Sequence, residues 1–345
     1  MSEKSICILP EIKSVGGPAT FQKRLIREAA SQGVSVHTDP DRKDIGAFLV
    51  IGAPRRYFPV FLRARQRKIP VIQRLNGMNW IHRIQPTGWL YGRKADFANF
   101  SLSFFRSHIA SGIVYQSRFC EAHWNDVYGE IRNKPTRIIY NGVDLELFRP
   151  TAAPDASGQI RILIVEGNLQ HGSEFNLEQA LQLAESLAGR LSGSVLLQVA
   201  GNVAENARAN IESRFSGGRK NSAVEFLGVV SQERLIQIEN ESHLLFSAEL
   251  HPACPNAVIE ALGCGLPVIG FDTGSLKDVV GKGGVIVPYG ADAWKLEKPV
   301  LEPLVEAAVK VVNENQPYRA AARAKAEAAF GVDQMTRGYL DFLLG

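Results

Sequence analysis

The stretch from His251 to Ser275, HPACPNAVIEALGCGLPVIGFDTGS, decides how the chain is read. Pro255 is placed as a first helical residue and Gly265 as the residue just past a helix end, so PNAVIEALGCG reads as a short helix. The β-branched run PVIGFD that follows reads as a strand. Within the helix one acid, Glu260, stands among Val258, Ile259, Ala261 and Leu262. A solvent-facing helical acid is the plain explanation; the apolar residues on both sides favour a carboxylate held for a ligand. The first-turn amides around Asn256, Ala257 and Val258 would point out of the carboxyl end of a sheet, where α/β folds bind their ligands. Glu260 follows Asn256 by four residues and so shares its face. Amides for a diphosphate, with a carboxylate one turn on for a ribose diol, suit a nucleoside diphosphate.

Outward from this stretch, short apolar runs alternate with helix-period segments along the whole chain. ICIL, AFLVIG, PVIQRL, GIVYQS and RIIYNG come first, with ATFQKRLIREAASQG among the helices between them. After the connector FRPTAAPDASGQ the pattern restarts with IRILIVEG, VLLQVAG, VEFLG, LLFSA, PVIGFD and GVIVP. This is the alternation of parallel sheets wrapped by helices. The 345 residues exceed one ordinary core, which predicts two α/β domains, 1–150 and 151–328. Residues 329–345 form a final apolar helix expected to pack back on the N-terminal domain.

Composition narrows the class. At 45% hydrophobic and 21% charged the chain has ordinary globular composition, and no apolar run is long enough to span a bilayer. The opening MSEKSICILPE has too short an apolar run for a signal peptide, and the four cysteines fit no metal spacing, so the expectation is a cytoplasmic protein with reduced thiols. A net charge of +4 is too mild for a nucleic-acid binder. One basic segment, RRYFPVFLRARQRK (Arg55 to Lys68), interleaves arginines with aromatic residues. A solvated helix is the bland reading; peripheral contact with an anionic membrane or an acidic acceptor is the sharper one.

Other candidates are weaker taken singly. Gly16 and Gly17, ahead of a helix, would offer open backbone amides and a positive dipole end to a phosphate, although GGP matches no dinucleotide or Walker fingerprint. His37, His108, His123 and His243 stand singly and read as structural. His82 in RLNGMNWIHR is the histidine to watch, near Arg74, Asn76 and Gly77. The aromatics Phe97, Phe100, Phe104 and Phe105 fall at helix spacing and read as core.

NAVIEALGCGLPVIGFDTGSLKDVV (Asn256 to Val280) resembles the donor-site signature of the retaining nucleotide-sugar glycosyltransferases of family 4. NGVDLELFRP is similar to the segment that ends their first domain, GGPATF to their first phosphate-proximal loop and FLGVVSQERL to their base-binding region. The resemblance implies the GT-B architecture, two Rossmann-like domains with parallel sheets facing across a cleft. It implies that Glu260 binds the ribose hydroxyls, that the backbone from Asn256 through Ala257 and Val258 to Ile259 meets the diphosphate, and that Val230 and Ser231 border the base. Gly16 and Gly17 would close on the diphosphate or sugar. It further implies a nucleoside-diphosphate sugar as substrate, a glycan or lipid-linked acceptor, and no cofactor or metal.

The pattern departs from the family chiefly in two places, with a smaller, charge-keeping departure at Asp278, where a glutamate is commoner. The signature's first acid falls on Pro252, with Glu249 and His251 near it but out of register. Where an arginine and then a lysine would hold the diphosphate, this chain has Asn168 and then Ser173 and Glu174, with His171 the only nearby cationic candidate. His82, Glu249 and His251 remain the catalytic candidates. The expected function is retaining hexosyl transfer; a catalytically weak or inactive nucleotide-sugar-binding protein is the competing reading.

Overall fold

Short apolar runs that bury both faces become parallel strands, and the computed structural model contains two six-stranded sheets of this kind. It describes residues 4–13, 16–85, 88–151, 158–169, 174–216 and 221–345. The first sheet comprises β1 (Ser5–Leu9), β2 (Val36–His37), β3 (Ile45–Ile51), β4 (Val71–Leu75), β5 (Gly112–Tyr115) and β6 (Thr136–Ile138). Their order is β2-β1-β3-β4-β5-β6, with every pairing parallel. Its helices are α1 (Gly17–Ser31), α2 (Phe58–Gln66), α3 (Trp89–Phe104) and α4 (Arg118–Tyr128). Side chains of β1 alternate between two cores. Ile6 and Ile8 meet Phe21 and Leu25 of α1, while Cys7 and Leu9 meet Phe61 of α2 and Phe105. Each fully buried aliphatic or aromatic side chain contributes about 1.5–3 kcal/mol.

The second sheet comprises β7 (Gln159–Leu169), β8 (Ser194–Val203), β9 (Ser222–Gly228), β10 (Leu244–Ser247), β11 (Val268–Phe271) and β12 (Gly284–Val287). They lie in the order β12-β11-β10-β7-β8-β9 and are also parallel. Around them pack α5 (Glu174–Ala188), α6 (Glu205–Ser216), α7 (Gln232–Glu241), α8 (Asn256–Gly263), α9 (Leu276–Val280), α10 (Glu302–Asn313) and α11 (Asn315–Ala329). Leu181 and Ala184 of α5 and Leu304 and Ala308 of α10 close one core over Ile162, Leu197, Phe246 and Ile269. The order reverses between β7 and β10, and in the first sheet between β1 and β3. Doubly wound sheets open a crevice outside the carboxyl ends of their strands at such points.

The chain divides into two compact units, one running up to Val143 and taking back Phe330–Gly345, the other Asp144–Ala329. The reading of the sequence put this boundary at Pro150. It falls earlier because NGVDLELFRP is shared between the units. Val143 donates to the Phe330 carbonyl at 2.8 Å and accepts from the Val332 amide at 2.9 Å. Beyond Asp144, Arg323 takes over, donating from Nη1 to the carbonyls of Leu145 (3.1 Å), Phe148 (2.8 Å) and Gly263 (2.8 Å). The final helix, α12 (Val332–Leu344), buries Met335, Tyr339 and Leu343 in the first unit, with the Tyr339 ring 5.1 Å from Phe21.

Candidate functional site

Pro255 is the residue before the first turn of α8 rather than in it. Its extended backbone (φ −74°, ψ 115°) leaves Asn256 as the first helical residue, and no side chain caps the helix start. The far end closes as the glycine predicts. Gly265 has φ +67°, its amide donates to Leu262 at 3.0 Å, and Leu266 donates to Ala261 at 2.8 Å, a Schellman stop. Val258, Ile259, Ala261 and Leu262 are buried, whereas Asn256, Ala257 and Glu260 are half-buried. The helix therefore turns a packed face inward and leaves its start and its acid accessible.

A second carboxyl lies beneath. Glu239 of α7 is fully buried and accepts a hydrogen bond from the Cys264 thiol at 3.1 Å. Burial first, and then the charge of Glu260, push the Glu239 carboxyl well above the ordinary carboxylate range. Cys264, the residue just past the end of α8, is the one that brings its thiol to this carboxyl.

The reversal point between β7 and β10 contributes two more acids. Glu166 lies at a bulge of β7, where the register with β8 shifts between Val165 and Asn168. Gly201 on β8 makes room for it: a Cβ there would lie 1.7 Å from the Glu166 carbonyl oxygen. Glu249 follows β10 by two residues and is exposed. Burial and the neighbouring charge of Glu249 raise the Glu166 carboxyl. Bulges recur beside active sites because they re-aim one residue of a strand.

Between β10 and α8 the chain is locked. His251 takes φ +53° and stacks its ring on Trp294 at 3.5 Å and 9°. Its amide donates to Thr273 Oγ1 at 3.3 Å, and the Pro252 carbonyl accepts from the Ser275 amide at 2.9 Å. Gly274 (φ +61°) is required here, since a Cβ would lie 2.5 Å from the backbone of His251 and Pro252. Pro252 is buried in this contact. HPAC and DTGS thus form one interlocked pair of loops.

The remaining candidates are placed as follows. Asn168 pairs along the backbone with Asn202 in β8. His171 and Ser173 lie outside the described residues, and Glu174 opens α5. Ser231 caps α7, its hydroxyl accepting from the Arg234 amide at 3.3 Å, and Val230 beside it is half-buried. In the first unit Gly16 (φ +134°) precedes α1 and Gly17 opens it, both exposed. Gln22 pins the preceding loop, donating to the Pro10 carbonyl at 3.0 Å and accepting from the Ile12 amide at 2.9 Å. Arg74 is buried, 3.8 Å from the Phe21 ring centroid, and donates to Asn76 Oδ1 at 2.7 Å and Asn141 Oδ1 at 2.8 Å. His82 bonds through Nε2 to Asp96 Oδ1 at 3.1 Å, tying its turn to α3.

One expectation is corrected outright: of the aromatics read as core, Phe105 is buried but Phe97, Phe100 and Phe104 are exposed. Glu166 and Glu239 are the acids that reading missed. The signal for Glu166 was an acid closing the strand-like run IRILIVEG; for Glu239 it was an acid four residues after Leu235, on the apolar side of QERLIQIENE. Among the described residues no group of three or more His, Cys, Asp or Glu is placed to hold a metal.

Residues 161–302 match the family model described as Glycosyl transferases group 1, a segment that includes Glu166, Glu239, Glu249 and Glu260. No curated protein matches by sequence. Among solved structures the chain is similar to sucrose-phosphate synthase from Thermosynechococcus elongatus, with a TM-score of 0.70 at 14% identity over 98% of both chains. HepE of Anabaena, in complex with UDP and glucose, gives a TM-score of 0.66 at 14% identity over 99% of both chains. WaaG, a glycosyltransferase involved in lipopolysaccharide biosynthesis, gives 0.67 at 15% identity over 99% of this chain and 100% of that one. The fold is therefore that of the GT-B glycosyltransferases, two Rossmann-like domains with one parallel sheet each.

Proposed function

We propose that the chain is a glycosyltransferase that moves a hexose from a nucleoside-diphosphate donor to a glycan or lipid-linked acceptor with retention of anomeric configuration. The observation that carries this reading is α8, an uncapped helix start with an accessible acid one turn in, at the carboxyl end of a doubly wound sheet. The amides from Asn256 to Ile259 take the diphosphate, because a helix start combines open donors with a positive dipole. Glu260 accepts the ribose hydroxyls, and the backbone at Val230 and Ser231 borders the base. The neutral form of Glu239 adds no second negative charge beside Glu260.

The acid that the resemblance places at Pro252 is replaced, in this reading, by Glu249 with Glu166 at the bulge of the neighbouring strand β7. They face the donor sugar. The acceptor oxygen attacks the anomeric carbon on the side from which the diphosphate leaves. The bond from that carbon to the phosphate oxygen breaks, and the acceptor proton passes to the departing phosphate. No side-chain nucleophile or metal is needed; positioning and charge stabilisation by the helix start do the work.

Pro252, Asn168 and Glu174 also support a second reading, a nucleotide-sugar-binding protein without turnover. Thermal shift and turnover measured together across UDP-, GDP- and ADP-sugars separate the two, since a ligand that binds the folded chain raises its melting temperature. Stabilisation with donor hydrolysis or transfer is the expected result. Stabilisation without turnover of any donor would overturn the transferase in favour of the binder, and no stabilisation would overturn both.

A further inference from the structure

Helix α3 is built inside out. Its buried stripe is Ala95, Asn99 and Ser103, small or polar residues at four-residue intervals. Asn99 holds that face in place: its Oδ1 accepts from the Asn79 amide at 3.1 Å and its Nδ2 donates to the Asn79 carbonyl at 2.7 Å. The large side chains look outward, with Trp89 71%, Leu90 66%, Phe97 48% and Phe100 58% exposed. Phe97, Phe100 and Phe104 recur at the spacing of a single helix face. A run of this kind on the surface marks an interaction site.

Charge says what covers it. From Arg55 to Ala110 there are nine arginines and lysines besides the buried Arg74 and Arg106, and one acid, Asp96, in a chain whose net charge is only +4. Asp96 is itself paired with Arg83 and His82, each at 3.1 Å. The cations are interleaved with the rings: Arg55 lies 4.5 Å from the Phe97 centroid and Arg93 5.0 Å from that of Trp89. Tryptophan and phenylalanine at the acyl boundary, with arginines at headgroup level, is the composition of a surface that rests on an anionic bilayer. Among the described residues no helix is long and apolar enough to cross a membrane. We propose that the outer face of α3, edged by Arg55 and Arg56, seats the chain peripherally on an anionic lipid bilayer. The reading of the sequence put the apolar part of such a contact in Arg55 to Lys68. The structure moves it to α3, because Phe61 and Ala64 of α2 are buried and chiefly basic and polar residues of that segment remain outside. The proposal holds whether or not the chain transfers sugar.

Co-sedimentation of the full chain with vesicles of phosphatidylcholine and phosphatidylglycerol in equal parts, and of phosphatidylcholine alone, tests it. The chain is expected to pellet with the anionic vesicles at low salt and to be released as salt rises. W89S/F100S should weaken that partition at least about tenfold without lowering the melting temperature, since both residues are exposed. R55E/R93E should lose the preference for anionic over neutral vesicles. A wild-type chain that pellets with neither vesicle, or a W89S/F100S chain that pellets like wild type, would overturn the proposal. So would a lipid-free dimer that W89S/F100S dissolves, which would assign the face to a second copy.

Discussion

Helices α3 and α8 carry large apolar residues at helical spacing, yet the protein uses them in opposite senses. In α8 the apolar residues Val258, Ile259, Ala261 and Leu262 are buried, and the polar residues Asn256 and Glu260 keep partial access to solvent. In α3 a narrow stripe of Ala95, Asn99 and Ser103 is inside, and the aromatics are out. The difference shows that periodicity identifies a face without saying where it points. The opposite stripe decides. Small residues, together with an asparagine matched to a backbone amide and carbonyl, let α3 approach closely on the side that a hydropathy reading would leave to water.

The comparison can be broken by stability measurements. The largest expected effect is in α8, where Ile259→Ala should cost about 2–5 kcal/mol by denaturant unfolding, because the fully buried side chain leaves a cavity. Next is the small-residue face of α3. Asn99→Leu strands the Asn79 amide and carbonyl and should cost about 1–3 kcal/mol, although it makes that face more apolar. A loss in Asn99→Leu smaller than that in an exposed-site control would contradict the inside-out account.

A smaller effect is visible only against pH. Glu239 binds its proton more tightly in the folded chain than in the unfolded one. Its contribution to stability is therefore complete below the unfolded carboxyl's range and is lost as pH rises through the raised folded value. Melting temperatures of wild type should fall relative to Glu239→Gln as pH rises above the ordinary carboxylate range. Parallel curves for the two proteins would remove Glu239 from the account. Smallest is Phe100→Ala, which should change unfolding stability by no more than about 0.5 kcal/mol, the usual range for a surface position.

Much of the fold is legible in the chain because parallel strands buried on both faces read as continuous apolar runs. AFLVI and LLFS are such runs, and β3 and β10 lie where they predict. The stop of α8 is equally plain, since only a residue at ease with φ +67° suits position 265. What was not legible depends on partners distant in sequence. The domain boundary missed by several residues because NGVDLELFRP reads as one segment, while Phe330 holds its first part and Arg323 its second. Glu166 and Glu239 look like ordinary acids until the bulge beside Gly201 re-aims the one and burial against the Cys264 thiol encloses the other. The aromatics of α3 misled for the same reason: nothing local reveals that Asn99 meets Asn79.

The central claim, that α8 with Glu260 cradles a nucleoside diphosphate, is tested most directly by calorimetric titration of wild type and Glu260→Ala with UDP, GDP and ADP. At least one of the three should bind wild type, and the substitution should weaken that binding at least about tenfold, as expected when charge-assisted hydrogen bonds to a ribose are lost. Equal affinity of the two proteins for the nucleotide that binds would contradict the assignment.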